Sequence, residues 1–226
     1  KAYTRNEVDV EGVRSLVEYW DRNEFTTGVE KFIPENGRGM MYMDSLELTT
    51  FGKAGQLWGY NVLKEFSRRR GYDLTPYLPF LVKEDRGGND WYRYESSDQD
   101  WVVRLRNDFY QNITELYMEN MLKPLQDWLH TKRMSLRAEI SYGLPFEISL
   151  PGKYVDGIET ESLEFCSQID SYRNLAGPAH IYDRIYSSET GASLLNYKMG
   201  LGFYTQIIYT QFAAGISKTV MHGYSS

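Results

Sequence analysis

The feature that most constrains this chain is the alternation of short strand-like runs with longer helical segments. Five strand-like runs are predicted, at about residues 40–43, 136–141, 155–158, 184–188 and 218–222. Apolar residues at helical spacing occupy most of the intervals between these runs. Intervals that carry a helix are typical of crossovers between parallel strands, so the pattern predicts an α/β fold with a parallel sheet.

The number of strands points to part of a (β/α)8 barrel. A complete barrel takes about 250 residues, whereas this chain has 226 and spends many of them between its first two strands. We therefore expect the C-terminal part of a TIM-type barrel with the first strands missing. Because the chain starts at Lys1 without a methionine, we also expect residues 1–226 to be a single partial barrel domain excised from a longer multidomain chain.

The predicted helices follow from spacing, capping residues and breakers. A first amphipathic helix contains Val13 and Trp20, and a second spans residues 54–70, with arginines in its last turn and Gly71 after it. A long helix is predicted over 101–129, bent or broken at Pro124. Two more are expected over 164–179 and around 195–212.

Composition excludes several classes of protein. With 42% hydrophobic and 15% aromatic residues, the chain is not intrinsically disordered. A net charge of −6 argues against a nucleic-acid partner, which requires a positive surface. No apolar run approaches the roughly 20 residues of a membrane span, so no membrane partner is expected. A single cysteine, Cys166, excludes an internal disulfide, and no serine-elbow, phosphate-loop or dinucleotide motif is present.

Acidic residues recur at the ends of the predicted strands. In a parallel barrel these ends open onto one face, so we expect the side chains to converge there. Paired carboxylates suit glycoside hydrolysis, in which one protonates the leaving oxygen and the other activates water or attacks the sugar. Clustered carboxylates equally suit a hard cation such as calcium. The polar residues at these strand ends are Asp44, Glu47, Glu139, Glu159, Glu161, Glu164, Glu189 and His222.

Each of these residues also has a purely structural interpretation. Asp44 is placed to cap a following helix, Glu159 and Glu164 to face solvent or begin a helix, and His222 to sit in the core. The nearby aromatic residues either stack on a sugar ring or fill the core. They are Tyr42, Tyr142, Phe146, Tyr186 and Tyr224.

Several of these segments together resemble glycoside hydrolase family 106, which contains α-L-rhamnosidases. The match begins with residues 42–47, which end in Asp44-Ser45-Leu46-Glu47, and continues with residues 66–73 and 76–79. Later matches, in the same order, cover residues 137–143, 156–161, 179–182 with 188–190, and 220–222. The resemblance extends from about Gly39 to the C-terminus.

The resemblance implies a (β/α)8 catalytic barrel inside a larger exported protein, with inverting, calcium-assisted chemistry. Carried over by motif, Glu47 is the general acid and Glu189 the general base. Asp44 and Glu161 are the candidates for metal or sugar binding, although Glu159 and Glu164 lie in or beside the same motif as Glu161. Glu139, Tyr142 and His222 complete the predicted substrate-binding set.

We therefore predict a secreted, inverting, α-L-rhamnosidase-like glycoside hydrolase. Its expected partners are a carbohydrate substrate and the remaining domains of the parent chain. An alternative hypothesis is a carbohydrate-binding barrel that has lost hydrolysis, and a third is a structural module with scattered carboxylates. The three differ in whether Glu47 and Glu189 face one water-accessible pocket.

Overall fold

The structure is a computed structural model that divides the chain into two compact units. It describes residues 6–25, 28–44, 57–81, 96–140, 147–163, 165–192 and 200–222, with the backbone alone for residues 96–99. One unit, here called the helical unit, comprises Lys1–Thr26, Glu47–Pro124 and Gly143–Glu147. The other, the sheet unit, comprises Thr27–Leu46, Leu125–Tyr142 and Ile148–Ser226.

The helical unit contains α1 (Val10–Asn23), α2 (Val62–Arg70), a 3-10 helix (Thr75–Leu81) and α3 (Ser96–Tyr117). The first predicted helix is confirmed, and its Val13 is buried. Helix α2 is shorter than predicted, because residues 57–61 are not helical; residues 54–56 lie outside the described part of the chain. It ends at Gly71 with φ of 81°, a left-handed conformation that glycine adopts without steric cost.

The arginines at the end of α2 do more than interact with the helix dipole. Arg69 forms ion pairs with Glu115 at 3.1 Å and Glu119 at 2.6 Å, and Arg70 pairs with Glu115 at 2.8 Å. Both arginine side chains are largely buried, so these pairs connect α2 to the long helical segment that carries the glutamates. Arg69 and Arg70 are therefore explained by packing within the helical unit, whereas Arg68 is exposed and pairs with Glu65 of the same helix.

Pro124 does not break the long helix, whereas a bend at this residue stays a prediction. Helix α3 continues through a π-helical turn (Met118–Leu122) directly into α4 (Lys123–Thr131). Pro124 is the second residue of α4. Proline has no N–H to donate, and this costs little here because the preceding π turn does not have the regular α-helical hydrogen bonds. The π turn therefore takes up the irregularity that proline introduces.

The sheet unit is built on five parallel strands that form a half-barrel, as predicted. The strands are adjacent in sequence order, from β1 to β5, and every pairing is parallel. This confirms the α/β class and the partial-barrel geometry at the level of the sheet. The strands are β1 (Gly39–Met43), β2 (Met134–Glu139), β3 (Gly157–Glu161), β4 (Ile185–Thr190) and β5 (Lys218–Met221).

Two strand boundaries differ from the prediction in a way that matters for the site. β3 begins at Gly157, because the side chain of the preceding Asp156 is held by its own hydrogen bonds. The Asp156 carboxylate accepts the Leu136 N–H at 2.8 Å and also contacts Gln126 and His130. Glu159 and Glu161 consequently lie inside β3 instead of after it. In the same way, Glu189 lies inside β4.

One face of the sheet packs against helices α5 (Ile169–Ile181) and α6 (Leu201–Ala213). Tyr186 donates its hydroxyl hydrogen bond to the Tyr172 carbonyl of α5, and Gln211 of α6 bonds to both Ser188 and Thr190. Because side chains alternate along a strand, residues 187 and 189 of β4 occupy the opposite face. The buried apolar residues under the helices include Leu136, Ala138, Ile158, Leu175, Ala179 and Ile207.

Among the helices of the described residues, none combines the length and the apolar character that crossing a membrane requires.

Candidate active site

Carboxylates from four neighbouring strands lie close together on the face of the sheet opposite to the helices. The register explains why: Glu139 of β2 is beside Glu159 of β3, and Glu161 of β3 is beside Glu189 of β4. Asp44 directly follows β1. Parallel pairing therefore brings together residues that are remote along the chain, as the sequence predicts.

Tyr42 of β1 connects two of these carboxylates. Its hydroxyl oxygen is 3.0 Å from Oε1 of Glu139 and 3.2 Å from Oε2 of Glu189. A phenol has a single proton to donate, so it satisfies both neighbours best when one of them carries a proton of its own. Burial and the adjacent carboxylates raise the pKa of Tyr42, which keeps the phenol protonated.

Glu139 is the carboxylate whose environment favours the neutral form. Its pKa is raised to about 8, chiefly by burial and also by the nearby charges of Glu189, Asp44 and Glu161, while the hydrogen bond from Tyr42 opposes the shift. The residue is 1% exposed, so little water is available to stabilise its charge. At neutral pH Glu139 is consequently a carboxylic acid that can donate a hydrogen bond.

Glu189 lies in a different setting, although it shares the Tyr42 hydroxyl. Its side chain is 17% exposed, and its Oε1 is 3.5 Å from Nε2 of His222, which is itself half exposed. His222 follows β5 and its backbone N–H bonds to the Thr190 carbonyl. Glu189 is therefore not enclosed in a dry ion pair, and water can reach it.

Three of the carboxylates fit a divalent cation. Oxygen atoms of Asp44, Glu139 and Glu189 all lie within 4.8 Å of one another. Oxygens bound to one calcium ion at about 2.3–2.6 Å are at most about 5 Å apart, and hard oxygen ligands are what calcium prefers. The donor set therefore matches calcium in both chemistry and spacing.

The resemblance implies Asp44 and Glu161 as metal ligands, and of these two residues only Asp44 belongs to the group of three that fits a cation. Glu161, the other expected metal ligand, is outside the three-residue group, and its carboxylate accepts the Leu163 N–H at 2.9 Å. It nevertheless lies near enough to influence the charge of Glu139. The residues Glu47, Tyr142, Phe146, Glu164 and Tyr224 lie outside the described residues.

A buried ion pair lies beneath the carboxylate cluster. Nε of Arg137 is 3.0 Å from Oε2 of Glu159, whose side chain is fully buried. The Ser187 hydroxyl also donates to Oε2 of Glu159. Burial raises the pKa of Glu159, while Ser187 and Arg137 offset part of that effect.

Sequence reasoning did not identify Arg137 or Ser187 as part of this site. The available signal was the alternation of β2, which places Arg137 and Glu139 on one face and Leu136 and Ala138 on the other. The partners of Arg137 depend on strand register and are not visible in a local pattern.

The separation of Glu139 and Glu189 bears on mechanism. Inverting glycosidases hold their two carboxyl groups about 6.5–9.5 Å apart, so that a water molecule fits beside the sugar. Oxygens of Glu139 and Glu189 lie within 4.8 Å. The nearest oxygens of these two residues are therefore closer than the separation typical of an inverting acid–base pair.

Comparisons with known proteins point to one family. The family model described as alpha-L-rhamnosidase, glycoside hydrolase family 106, matches residues 3–225. A solved rhamnosidase structure from Novosphingobium sp. PP1Y superposes with a TM-score of 0.70 and 19% sequence identity. The aligned region covers 96% of this chain and 20% of that protein, so this chain spans about a fifth of its length. At this identity the likeness shows the fold. No curated protein matches the chain.

Proposed function

Because the chain belongs to the α-L-rhamnosidases of glycoside hydrolase family 106, we propose that it carries the sugar-cleaving centre of an enzyme that hydrolyses α-L-rhamnosides or a closely related glycoside. The observation that carries the proposal is the convergence of Asp44, Glu139 and Glu189 at the carboxyl ends of three parallel strands. Carboxylates at this edge of a parallel barrel are placed where substrate enters. A carbohydrate is therefore the expected partner, and we expect the enzyme to act outside the cell.

Glu189 is the proposed general base. Water reaches its side chain, and the Tyr42 hydroxyl holds it in position. In an inverting reaction it removes a proton from water on one face of the sugar, while an acid protonates the departing oxygen on the other face. Glu47, which lies outside the described residues, is the proposed acid, and an inverting reaction requires a separation of about 6.5–9.5 Å between the two carboxyl groups.

Glu139 is proposed to bind substrate. Without a bound cation it is a neutral carboxylic acid at pH 7, suited to donate a hydrogen bond to a sugar hydroxyl. A cation held by the same carboxylate would ionise it, and Glu139 would then accept a hydrogen bond instead. Asp44 and His222 border the same set of carboxylates and offer further polar atoms to the sugar. Tyr142 retains its proposed role of stacking on the apolar face of the ring.

Calcium is the proposed cofactor. Asp44, Glu139 and Glu189 would hold it, since their oxygens have the required spacing. When bound, the ion supplies a positive charge that orients sugar hydroxyls. Glu189 then has two proposed roles, as metal ligand and as base. A calcium titration of Glu189→Gln separates them, because a residue that serves only as base leaves calcium affinity unchanged.

A single assay tests hydrolysis and the role of Glu189 together. Wild-type protein should release nitrophenol from p-nitrophenyl α-L-rhamnoside, and a chelator should slow the release. Glu189→Gln should lower turnover by about 10³-fold or more while sugar binding, measured by calorimetry, is preserved. Unchanged turnover in Glu189→Gln removes that residue from the mechanism, and sugar binding without turnover in the wild type favours the non-catalytic alternative.

One observation favours a second mechanism. Glu139 and Glu189 are close together, and the pKa of Glu139 is raised to about 8, which is the arrangement of acid and nucleophile in retaining glycosidases. In that case Glu139 protonates the leaving oxygen and Glu189 attacks the anomeric carbon. NMR of the first-formed sugar decides: an inverted anomer supports Glu47 with Glu189, and a retained anomer supports Glu139 with Glu189.

A further inference from the structure

The buried Arg137–Glu159 pair has no part in the proposed chemistry, yet it lies directly beneath the residues that do. The exposed fraction is 19% for the Arg137 side chain and zero for that of Glu159. Removing two charges from water is costly, and a buried ion pair seldom stabilises a fold more than apolar residues of similar size. A pair of this kind is better explained by what it holds in place.

A glycine in β3 leaves space for the Arg137 side chain to reach Glu159. Arg137 lies beside Gly157 in the sheet register, and Glu159 is two residues further on the same face. A Cβ atom at Gly157 would be 3.0 Å from Cγ of Arg137, closer than ordinary contacts. Glycine at this position therefore leaves room for the arginine side chain, and Ser187 fixes Glu159 from the other side.

Arg137 in turn contacts Tyr42. The guanidinium carbon is 4.7 Å from the centroid of the Tyr42 ring. A guanidinium at this distance from an aromatic ring is attracted by its π electrons, and its planar shape favours one orientation of the ring. The orientation of the Tyr42 ring determines where its hydroxyl points.

That hydroxyl lies between the two carboxylates at hydrogen-bonding distance from both, 3.0 Å from Glu139 and 3.2 Å from Glu189. The carboxylates come from different strands, and Tyr42 is a hydrogen-bond partner that they share. A change in the ring's orientation would release both at once.

We propose that Arg137, anchored by Glu159 and stacked on Tyr42, is a positioning residue that fixes the Glu139 and Glu189 carboxylates relative to each other. Its importance for catalysis rests on the proposed hydrolysis, whereas its effect on carboxylate geometry does not. Small displacements of reacting groups have large effects on rate, so such a residue influences turnover without touching substrate.

The test compares variants that each remove one of the contacts between Arg137, Tyr42 and the two carboxylates. Arg137→Lys keeps the charge but loses the planar guanidinium, and Tyr42→Phe keeps the ring but loses the hydroxyl. Each should lower kcat by about tenfold or more, with KM changed less than about threefold. The double variant should lose little more than the worse single variant, because both substitutions break one pathway.

Tyr209→Phe is the matched control. It makes the same chemical change as Tyr42→Phe, at an exposed position on α6, and should leave kcat and the melting temperature unchanged. Multiplicative losses in the double variant, or unchanged kcat in Arg137→Lys, overturn the proposal.

A crystallographic comparison decides the question independently of activity. In Arg137→Lys the Tyr42 ring should rotate, and its hydroxyl should no longer lie within 3.5 Å of both carboxylates. If the ring and both carboxylates keep their positions, Arg137 does not position them and the proposal is overturned. If instead the wild-type protein hydrolyses no rhamnoside, the proposed function fails, and this comparison still gives an answer on Arg137.

Discussion

The Tyr42 hydroxyl bridges Glu139 and Glu189, which lie on strands β2 and β4 of a sheet in which β3 separates them. The bridge therefore crosses over one complete strand. It joins a carboxyl group that is buried and favours its neutral form to one that water can reach. The Tyr42 hydroxyl thus joins two acidic groups that differ in their access to water, and such a difference in environment allows two carboxyl groups to have different chemical roles.

The raised pKa of Glu139 predicts a pH dependence of stability. Between its unfolded value of about 4.5 and its folded value of about 8, the folded state binds more protons than the unfolded state. The free energy of unfolding must therefore fall as pH rises through this window. Glu139→Gln should remove this slope and stabilise the protein by a few kcal/mol at pH 8. Urea denaturation of both proteins between pH 4.5 and 9, with chelator present, measures it. Parallel pH profiles of the two proteins would contradict the prediction.

The Arg137–Glu159 pair predicts a large loss of stability when one partner is neutralised. Glu159→Gln leaves the buried guanidinium without its counter-charge, which should lower the free energy of unfolding by about 3 kcal/mol. Glu18→Gln is the control, because Glu18 forms a comparable ion pair with Arg22 at 3.0 Å on the exposed side of α1, and should cost less than about 0.5 kcal/mol. Equal costs in chemical denaturation would show that burial of the first pair has no energetic consequence.

The spacing of the acidic cluster predicts calcium binding by the isolated protein. Isothermal titration should detect one site, and Asp44→Asn should weaken it by about tenfold or more, because a neutral amide replaces a charged ligand. Asp170→Asn makes the same change where the side chain is 89% exposed and should leave calcium affinity unchanged. Equal affinity in wild type and Asp44→Asn would place any bound calcium elsewhere.

The left-handed conformation at Gly71 predicts opposite effects of one substitution at two glycines. Gly71→Ala places a Cβ atom on a residue with φ of 81° and should destabilise the protein by about 1 kcal/mol. Gly202→Ala, in the first turn of α6 with no atom near the new Cβ, should be neutral or stabilise by up to about 1 kcal/mol. Thermal unfolding measures both. A loss at Gly202 as large as that at Gly71 would show that backbone conformation is not the cause.

Local patterns were sufficient to predict the elements that local physics controls. Strand-like runs between helical segments predicted five parallel strands, and the glycine after three arginines predicted the end of α2. The boundary of β3 was missed because Asp156 is fixed by a backbone N–H of a neighbouring strand. The continuous helix through Pro124 was missed because a π turn precedes it.

The site was predictable as a location but not as a set of contacts. Acidic residues at strand ends indicated which edge of the sheet matters. The contacts of Tyr42 were not predictable in this way, because 97 and 147 residues separate it from Glu139 and Glu189. Only strand register brings these residues together, and register is not encoded in any short segment.

The contrast between the two faces of the sheet has a consequence for how the strands can align during folding. Along β2, apolar Leu136 and Ala138 alternate with Arg137 and Glu139. A shift of a single position would turn the ionic side chains toward the helices and expose the apolar ones to the barrel mouth. A misaligned pairing therefore has two costs: it buries charged groups, and it exposes apolar ones. The residues proposed to bind sugar thus also help to specify the correct register of the sheet.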